Sequence, residues 1–165
     1  MADRGYRGRP QRGERADRQI NAGHSRGLDA ALSDTEAKIR KLKTERIYAF
    51  NKDGKEIAHS QTGKAHSTQL PFGYNYKDAI ITHNHPNRGI GDTIAGRVGT
   101  ILSGADIFTT IAHNASEIRA VTKNYTYSLK RPSKGWGLSE SDAWDVFLVK
   151  RTPKKAKNSK IEHLF

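Results

Sequence analysis

The sequence predicts an α/β domain in which helices flank a mixed β-sheet. One observation is the order of the elements along the chain, which reads helix, strands, helix, strands, helix. Another is the distribution of apolar residues, because residues 28–150 hold 27 of the 31 Leu, Ile, Val and Phe residues. We therefore expect a flexible Arg/Gly-rich arm over residues 1–27, a folded domain over residues 28–150 and a basic tail over residues 151–165.

The first predicted elements are a helix and a β-hairpin. The helix runs from Ser33, which begins a Ser-Asp-Thr-Glu capping box, to about Lys43, because good helix formers follow the box. Residues 45–50 alternate in side-chain direction as a strand does. A turn over residues 52–55 then returns the chain into a second strand over residues 56–60.

The middle of the chain holds the strand that we expect at the centre of the sheet. Residues 79–83 form a compact apolar run, which is typical of a central strand, and a shorter strand is predicted before them at residues 67–70. The glycine-rich residues 87–102 predict a loop. Ser103 then caps a helix that runs to about Asn114.

The last part of the domain adds a hairpin and a helix. Residues 117–121 and 125–130 are predicted to pair around a turn at Lys123-Asn124. A final helix is predicted to begin at Ser139 or Ser141.

The absence of Cys limits the chemistry of the chain. It excludes disulfides, Cys-ligated zinc, iron–sulfur clusters and a Cys nucleophile. It also fits a reducing compartment, so we expect a cytoplasmic location. No apolar stretch approaches the length of a membrane span, and the first residues lack the apolar core of a signal peptide. We therefore expect no membrane partner.

The formal net charge of +12 lies in the flanks of the chain. Residues 47–117 are balanced, with six basic and six acidic side chains, whereas residues 1–46 and residues 118–137 each carry a net charge of +5. A nucleic-acid binder that depends on charge more often has a basic stripe across its folded part. We interpret the flanks as solvated arms that can make weak contacts with nucleic-acid phosphates.

The stretch from His83 to Pro86 is the most informative part of the sequence. Side-chain direction repeats every two residues in a strand, so His83 and His85 point to the same side and can share one metal ion. Pro86 cannot continue a central strand, which places the pair where the chain leaves the sheet. The alternative is a pair of half-exposed loop histidines without a ligand. We expect surface roles for the other histidines, which are His24, His59, His66, His113 and His163.

The Ser103-Gly-Ala-Asp106 segment supplies a third candidate ligand. A carboxylate in the first turn of the helix after the histidine strand can join the two imidazoles. Two His and one carboxylate leave a fourth position for water, as in catalytic zinc sites, although the same donor set also suits Fe(II). The alternative is that Asp106 only caps its helix.

A catalytic zinc site also needs a proton carrier, and Glu45 is the candidate. It shares a strand face with Ile47 and Ala49, and a carboxylate on an apolar face is unusual unless it has a task. Glu56 is the second candidate, although it lies just past the turn. The alternative is that Glu45 belongs to a frayed helix end and pairs with a nearby Lys.

Glu45, the His83-x-His85-Pro86 segment and the Ser103-x-x-Asp106 segment together resemble the JAMM metallopeptidase motif of the JAB/MPN domain. The surrounding sequence is most similar to bacterial and phage versions, which include RadC-like proteins and domains attached to phage head-morphogenesis proteins. The resemblance covers residues 45–131. It implies a catalytic domain with a curved mixed sheet in an α/β sandwich, of the cytidine-deaminase-like kind.

For the site residues, the resemblance implies that His83, His85 and Asp106 bind one Zn²⁺ ion per chain. It implies that Ser103 stabilises the oxyanion and that Glu45 carries the proton from water to the leaving amine. The family hydrolyses peptide or isopeptide bonds, often those that join ubiquitin-like modifiers to lysines. The implied partner is a protein substrate, either a ubiquitin-like conjugate or a phage or bacterial protein, and virion association is the alternative to a cytoplasmic location.

The chain departs from the family pattern between Pro86 and Ser103. The family usually has a short spacer there, whereas residues 87–102 intervene in this chain. Asp92 lies inside this insertion and is an alternative ligand, but we favour Asp106 because it comes with Ser103 and a helix start. We hypothesise that the insertion is a lid that orders when substrate binds.

Two other classes of function remain open at this point. One is a basic nucleic-acid-binding or nucleic-acid-processing protein, whose binding weakens steeply with salt. The other is a non-catalytic JAB-like scaffold or a phage structural component.

Overall fold

A computed structural model describes residues 21–60, 67–86, 102–139 and 141–142. This part of the chain contains two helices and five strands, in agreement with the predicted α/β class and mixed sheet. The elements are α1 (Arg26–Ile39), β1 (Ile47–Phe50), β2 (Glu56–His59), β3 (Ile80–Asn84), α2 (Gly104–Ala112), β4 (Glu117–Val121) and β5 (Thr126–Lys130).

The strands form one sheet in the order β2-β1-β3-β4-β5. Neighbouring strands run antiparallel except β3 and β4, which are parallel. A parallel pair needs a crossover connection, and α2 lies within the segment that connects β3 to β4. The central place of β3 was predicted from its apolar run, and all five of its residues are buried.

The two faces of the sheet bury different apolar clusters. On one face, α1 packs Leu28 and Leu32 against Phe50 and Ile80. The other face holds the larger cluster, whose members include Ile47, Ala49, Ile81 and Ile118. Because side chains alternate along a strand, His83 shares the face of Ile81, and its neighbours across the sheet are Ile47 and Ala120.

Helix α1 begins earlier than the sequence predicts. Its N-cap is Ser25, whose Oγ accepts a hydrogen bond from the Leu28 N–H at 3.1 Å, and Ser33 lies inside the helix. The capping-box prediction at Ser33 was wrong because Leu28 and Leu32 gain burial when the helix extends toward its N-terminus. The helix ends at Ile39, before the predicted end near Lys43.

Two glycines allow the start of α1 to contact the β1–β2 turn. A Cβ on Gly27 would lie 2.6 Å from the backbone oxygen of Asp53, and a Cβ on Gly54 would collide with the backbone of Gly27. Gly54 also has a φ of +88°, which L side chains rarely adopt. The Asp-Gly turn therefore serves helix docking as well as the hairpin.

Other predicted elements have mixed outcomes. The β1–β2 and β4–β5 hairpins and the helix capped by Ser103 are confirmed. Residues 67–70 do not form a strand: Ser67 makes one bridge, and Leu70 packs into the larger apolar cluster. The end of the predicted last helix, residues 87–101 of the insertion, residues 1–20 of the predicted arm and the tail over residues 151–165 lie outside the described residues. The boundary predicted between arm and domain at residues 27 and 28 falls inside α1, which begins at Arg26.

No helix within the described ranges has both the length and the apolar character that crossing a membrane requires.

Candidate metal centre

His83 and His85 lie at the end of the central strand. His83 is the fourth residue of β3, and His85 directly follows the strand, where its N–H still donates to the Val121 carbonyl of β4 at 2.8 Å. This hydrogen bond extends the strand geometry by one residue. The two imidazoles therefore face the same side, as predicted, with 2.9 Å between the Nε2 atoms.

Asp106 joins the histidines from the first turn of α2. Its Oδ1 lies 3.2 Å from His83 Nε2, and its Oδ2 lies 3.9 Å from His85 Nε2. One ligating atom from each of the three residues lies within 4.8 Å of the other two, so the group could hold a metal ion. Within the described part of the chain, no other group of three or more His, Cys, Asp or Glu residues meets this condition.

The spacing of these atoms can be compared with zinc coordination. Zinc–nitrogen bonds near 2.1 Å at tetrahedral angles place ligating atoms about 3.4 Å apart. The two Nε2 atoms are 2.9 Å apart, Asp106 Oδ1 lies 3.2 Å from His83 Nε2, and Asp106 Oδ2 lies 3.9 Å from His85 Nε2. Each of these separations differs from the zinc value by about half an ångström or less.

Ser103 and Asp106 form a reciprocal capping box at the start of α2. The Ser103 N–H donates to the Asp106 carboxylate at 2.5 Å, and the Asp106 N–H donates to Ser103 Oγ at 3.2 Å. These bonds hold the carboxylate at the helix start, beside the histidines. Capping and contact with His83 thus occur together, although the sequence presented them as alternatives.

Electrostatics keep Asp106 ionised. Burial alone would raise the pKa of its carboxyl group, but the charge and hydrogen bond of His83 and the hydrogen bonds from Ser103 lower this pKa to about 2. For His83, burial lowers the pKa, but the Asp106 carboxylate and then Glu45 outweigh burial and leave the pKa above its ordinary value. An ionised carboxylate at neutral pH is the form that binds metal.

Glu45 acts electrostatically on His83. Its charge contributes to the raised pKa of His83, and it is two residues before Ile47, which pairs directly with His83. The residue precedes β1 instead of opening the strand, and its side chain is half-buried. The structure therefore brings together His83, His85, Asp106 and Ser103 at the carboxyl end of β3, and Glu45 precedes the strand that pairs with His83.

Glu56, the second candidate proton carrier, is not part of this group. Glu56 pairs with Phe50, three residues along β1 from Ile47, which corresponds to roughly 10 Å. It contacts His59 instead, with Oε1 at 2.6 Å from Nδ1. Asp92 lies outside the described residues.

His24 is not the surface residue that the sequence predicts. Its side chain is only 7% exposed, and its Nε2 lies 2.6 Å from the Glu117 carboxylate. Its Nδ1 lies 3.2 Å from Asp29, in the first turn of α1. The segment before α1 is therefore bound to β4 and is part of the folded structure.

A buried ionic network on the α1 face was also missed. Arg119 in β4 is 2% exposed, and it donates to Glu36 at 2.6 Å and to Glu117 at 3.0 Å. The sequence does contain one sign of this network. Glu36 follows Leu28 and Leu32 at four-residue spacing and therefore falls on the buried stripe of α1. Because Arg119 pairs with Thr82, this network lies on the face of the sheet opposite His83.

The chain was compared with protein-family models, curated proteins and solved structures, and none of the three comparisons gave a match.

Proposed function

We propose that this protein is a zinc-dependent metallohydrolase of the JAMM type that cleaves a peptide or isopeptide bond. The observation that supports this most is the convergence of His83, His85 and Asp106 at the end of one buried strand, where the Glu45 charge also raises the pKa of His83. Two His and one carboxylate are the protein ligands of several catalytic zinc sites, in which the fourth position stays open. The mixed α/β sheet is compatible with a JAB/MPN fold, which is part of the proposal.

His83, His85 and Asp106 would hold the zinc ion, which would supply an acidic water near neutral pH and a positive charge that polarises the carbonyl of the scissile bond. Glu45 takes a proton from the attacking water and gives it to the leaving amine nitrogen. Ser103 Oγ accepts the Asp106 N–H, so the hydroxyl still has its own proton to donate. We assign that proton to the developing oxyanion of the substrate.

The proposed partner is a protein that carries a peptide or isopeptide bond, such as a ubiquitin-like conjugate or a phage or bacterial protein. The basic flanks add at most a weak contact with nucleic acid. The proposed location is the cytoplasm or a virion.

The test separates metal binding from hydrolysis. We expect one zinc per chain in the wild-type protein, loss of zinc in His83→Ala and Asp106→Ala, and retention of zinc in Glu45→Gln. Hydrolysis of an isopeptide-linked conjugate should fall at least 100-fold in Glu45→Gln, since general acid–base catalysis contributes about 10²–10⁴-fold. Elemental analysis and a gel-based cleavage assay measure the two properties.

His59→Ala is the matched control, because this histidine lies on β2 and contacts Glu56. It should keep both zinc and hydrolysis. Undiminished hydrolysis by the metal-free protein would overturn the proposal. Binding of iron in preference to zinc would overturn the choice of metal, since the donor set also suits Fe(II).

A further inference from the structure

We infer that Asn84 is a positioning residue that holds Glu45 beside the two histidines, an inference that rests on the proposed function. Asn84 lies between His83 and His85 in sequence, but its side chain points to the opposite face of the sheet. Only 1% of the residue is exposed. Its side chain therefore has no direct part in metal binding.

The contacts of Asn84 enclose Glu45 on both sides. Its Oδ1 accepts a hydrogen bond from the Arg46 N–H at 2.7 Å, and its Nδ2 donates to the Thr44 carbonyl at 3.1 Å. A third bond runs from the Asn84 N–H to the Arg46 carbonyl at 3.2 Å. The backbone before and after Glu45 is thus fixed to the strand that carries the histidines.

These bonds occur where regular strand pairing has stopped. Strand β1 begins at Ile47, so residues 44–46 precede it. The Asn84 side chain continues the connection between this segment and β3 beyond the regular strand. Glu45 consequently keeps a fixed backbone position relative to His83.

The pattern of partners also explains why an amide is needed. The Arg46 N–H requires an acceptor, and the Thr44 carbonyl requires a donor. A primary amide presents both groups at a fixed spacing, whereas an ionised Asp only accepts and Ala offers neither. Asn84→Asp should therefore keep the Arg46 contact and lose the Thr44 contact.

Thr82 provides a matched control for loss of a buried hydrogen bond. It lies on the same strand and the same face, it is fully buried, and its Oγ1 donates to Glu36 at 3.1 Å. That bond leads to α1 and not to the segment around Glu45. Thr82→Val therefore reports the effect of losing a buried side-chain hydrogen bond in β3 that does not involve the segment around Glu45.

The first measurement is hydrogen exchange of the Arg46 amide, relative to amides in the centre of β3. In Asn84→Ala we expect exchange to accelerate about tenfold, which is the effect of losing one ordinary hydrogen bond. In Asn84→Asp and Thr82→Val the relative rate should stay near that of the wild type. An unchanged rate in Asn84→Ala would overturn the inference, and no metal is needed for this readout.

The second measurement uses Co²⁺ as the probe. Asn84→Ala keeps all three metal-binding side chains, so its Co²⁺ affinity should stay within about threefold of wild type while its visible absorption spectrum moves toward that of Glu45→Ala. Thr82→Val should keep the wild-type spectrum. A wild-type spectrum in Asn84→Ala would contradict a positioning role for Asn84.

Failure of the proposed metal centre and failure of the inference about Asn84 give different results. If the wild-type protein does not bind Co²⁺, the proposed metal centre fails, whereas Co²⁺ binding with an unaltered Asn84→Ala spectrum overturns only the inference about Asn84. If Asn84→Ala does not fold, Asn84→Asp serves instead. We then expect a protected Arg46 amide with a displaced spectrum, and a wild-type spectrum would overturn the inference.

Discussion

Asp106 combines two roles in a single carboxylate. It accepts the Ser103 N–H at the start of α2, and it lies 3.2 Å from His83 Nε2. The helix start therefore fixes the position of the candidate ligand. An Asn at this position would keep the cap, because its side-chain oxygen also accepts a hydrogen bond, but it would lose the charge that faces the histidines.

The pairing of Asp106 with His83 predicts how the stability of the metal-free protein depends on pH. The pKa of Asp106 is lowered to about 2, so its contribution is present above its unfolded pKa near 4 and disappears as the pH falls toward 2. The pKa of His83 is raised, so its contribution is present below its unfolded pKa near 6.5 and disappears as the pH rises through the folded value.

We therefore expect Asp106→Asn to lower the free energy of unfolding by about 2 kcal/mol near pH 5 to 6, in protein treated with a chelator. The difference from wild type should shrink toward pH 2 and again above neutral pH. Urea unfolding across this range measures it, with Asp34→Asn on the exposed side of α1 as the control. A constant difference at every pH would contradict the electrostatic assignment.

At the level of elements, the start of α1 shows how burial overrides a local signal. Both Ser25 and Ser33 are residues that favour an N-cap, and only Ser33 has a Glu three positions later. The helix nevertheless starts at Ser25, because Leu28 and Leu32 are each 1% exposed beneath it. A capping box inside a helix cannot be distinguished from a true start without knowledge of the surface that the preceding turns cover.

This difference gives a paired prediction. Ser25→Ala removes the acceptor for the Leu28 N–H and should lower the free energy of unfolding by about 1 kcal/mol. Ser33→Ala lies at an exposed position inside the helix and should be neutral or stabilise slightly, because Ala is the better helix former. Thermal or urea unfolding compares the two variants. A larger loss in Ser33→Ala would contradict the assigned helix start.

The strands were more predictable than the helix start. The runs at residues 79–83, 117–121 and 125–130 and the Asp-Gly turn each specify their element locally. Strand order and the parallel pairing of β3 with β4 depend on long-range contacts, which a single sequence does not display. The same holds for residues 67–70, where Leu70 is buried without forming a strand.

At the scale of the whole fold, the described residues place two polar groups on opposite faces of the sheet. His83 faces the α2 side, whereas Arg119, Glu36 and Glu117 are buried on the α1 side. The first group was predicted from strand periodicity and a familiar motif. The second group was missed because each member is separately an ordinary charged residue, and only the packing of α1 on the sheet brings them together.

The sequence also predicted only part of the candidate site. Periodicity indicated that His83 and His85 face one side, and the helix start indicated Asp106. Alternation in a strand predicted that Glu45 shares a face with Ile47, but Glu45 precedes β1, and the Asn84 side chain contacts the backbone on both sides of it. Such a contact joins residues that are 38 and 40 positions apart in sequence, and local patterns do not report it.

Anomalous diffraction at the zinc edge, from crystals of the zinc-loaded protein, is the most direct test of the metal centre. We predict one strong peak per chain, bound by His83 Nε2, His85 Nε2 and an Asp106 carboxylate oxygen at about 2.0–2.2 Å. A peak held by other residues, or no peak between the two histidines and Asp106, would contradict the account.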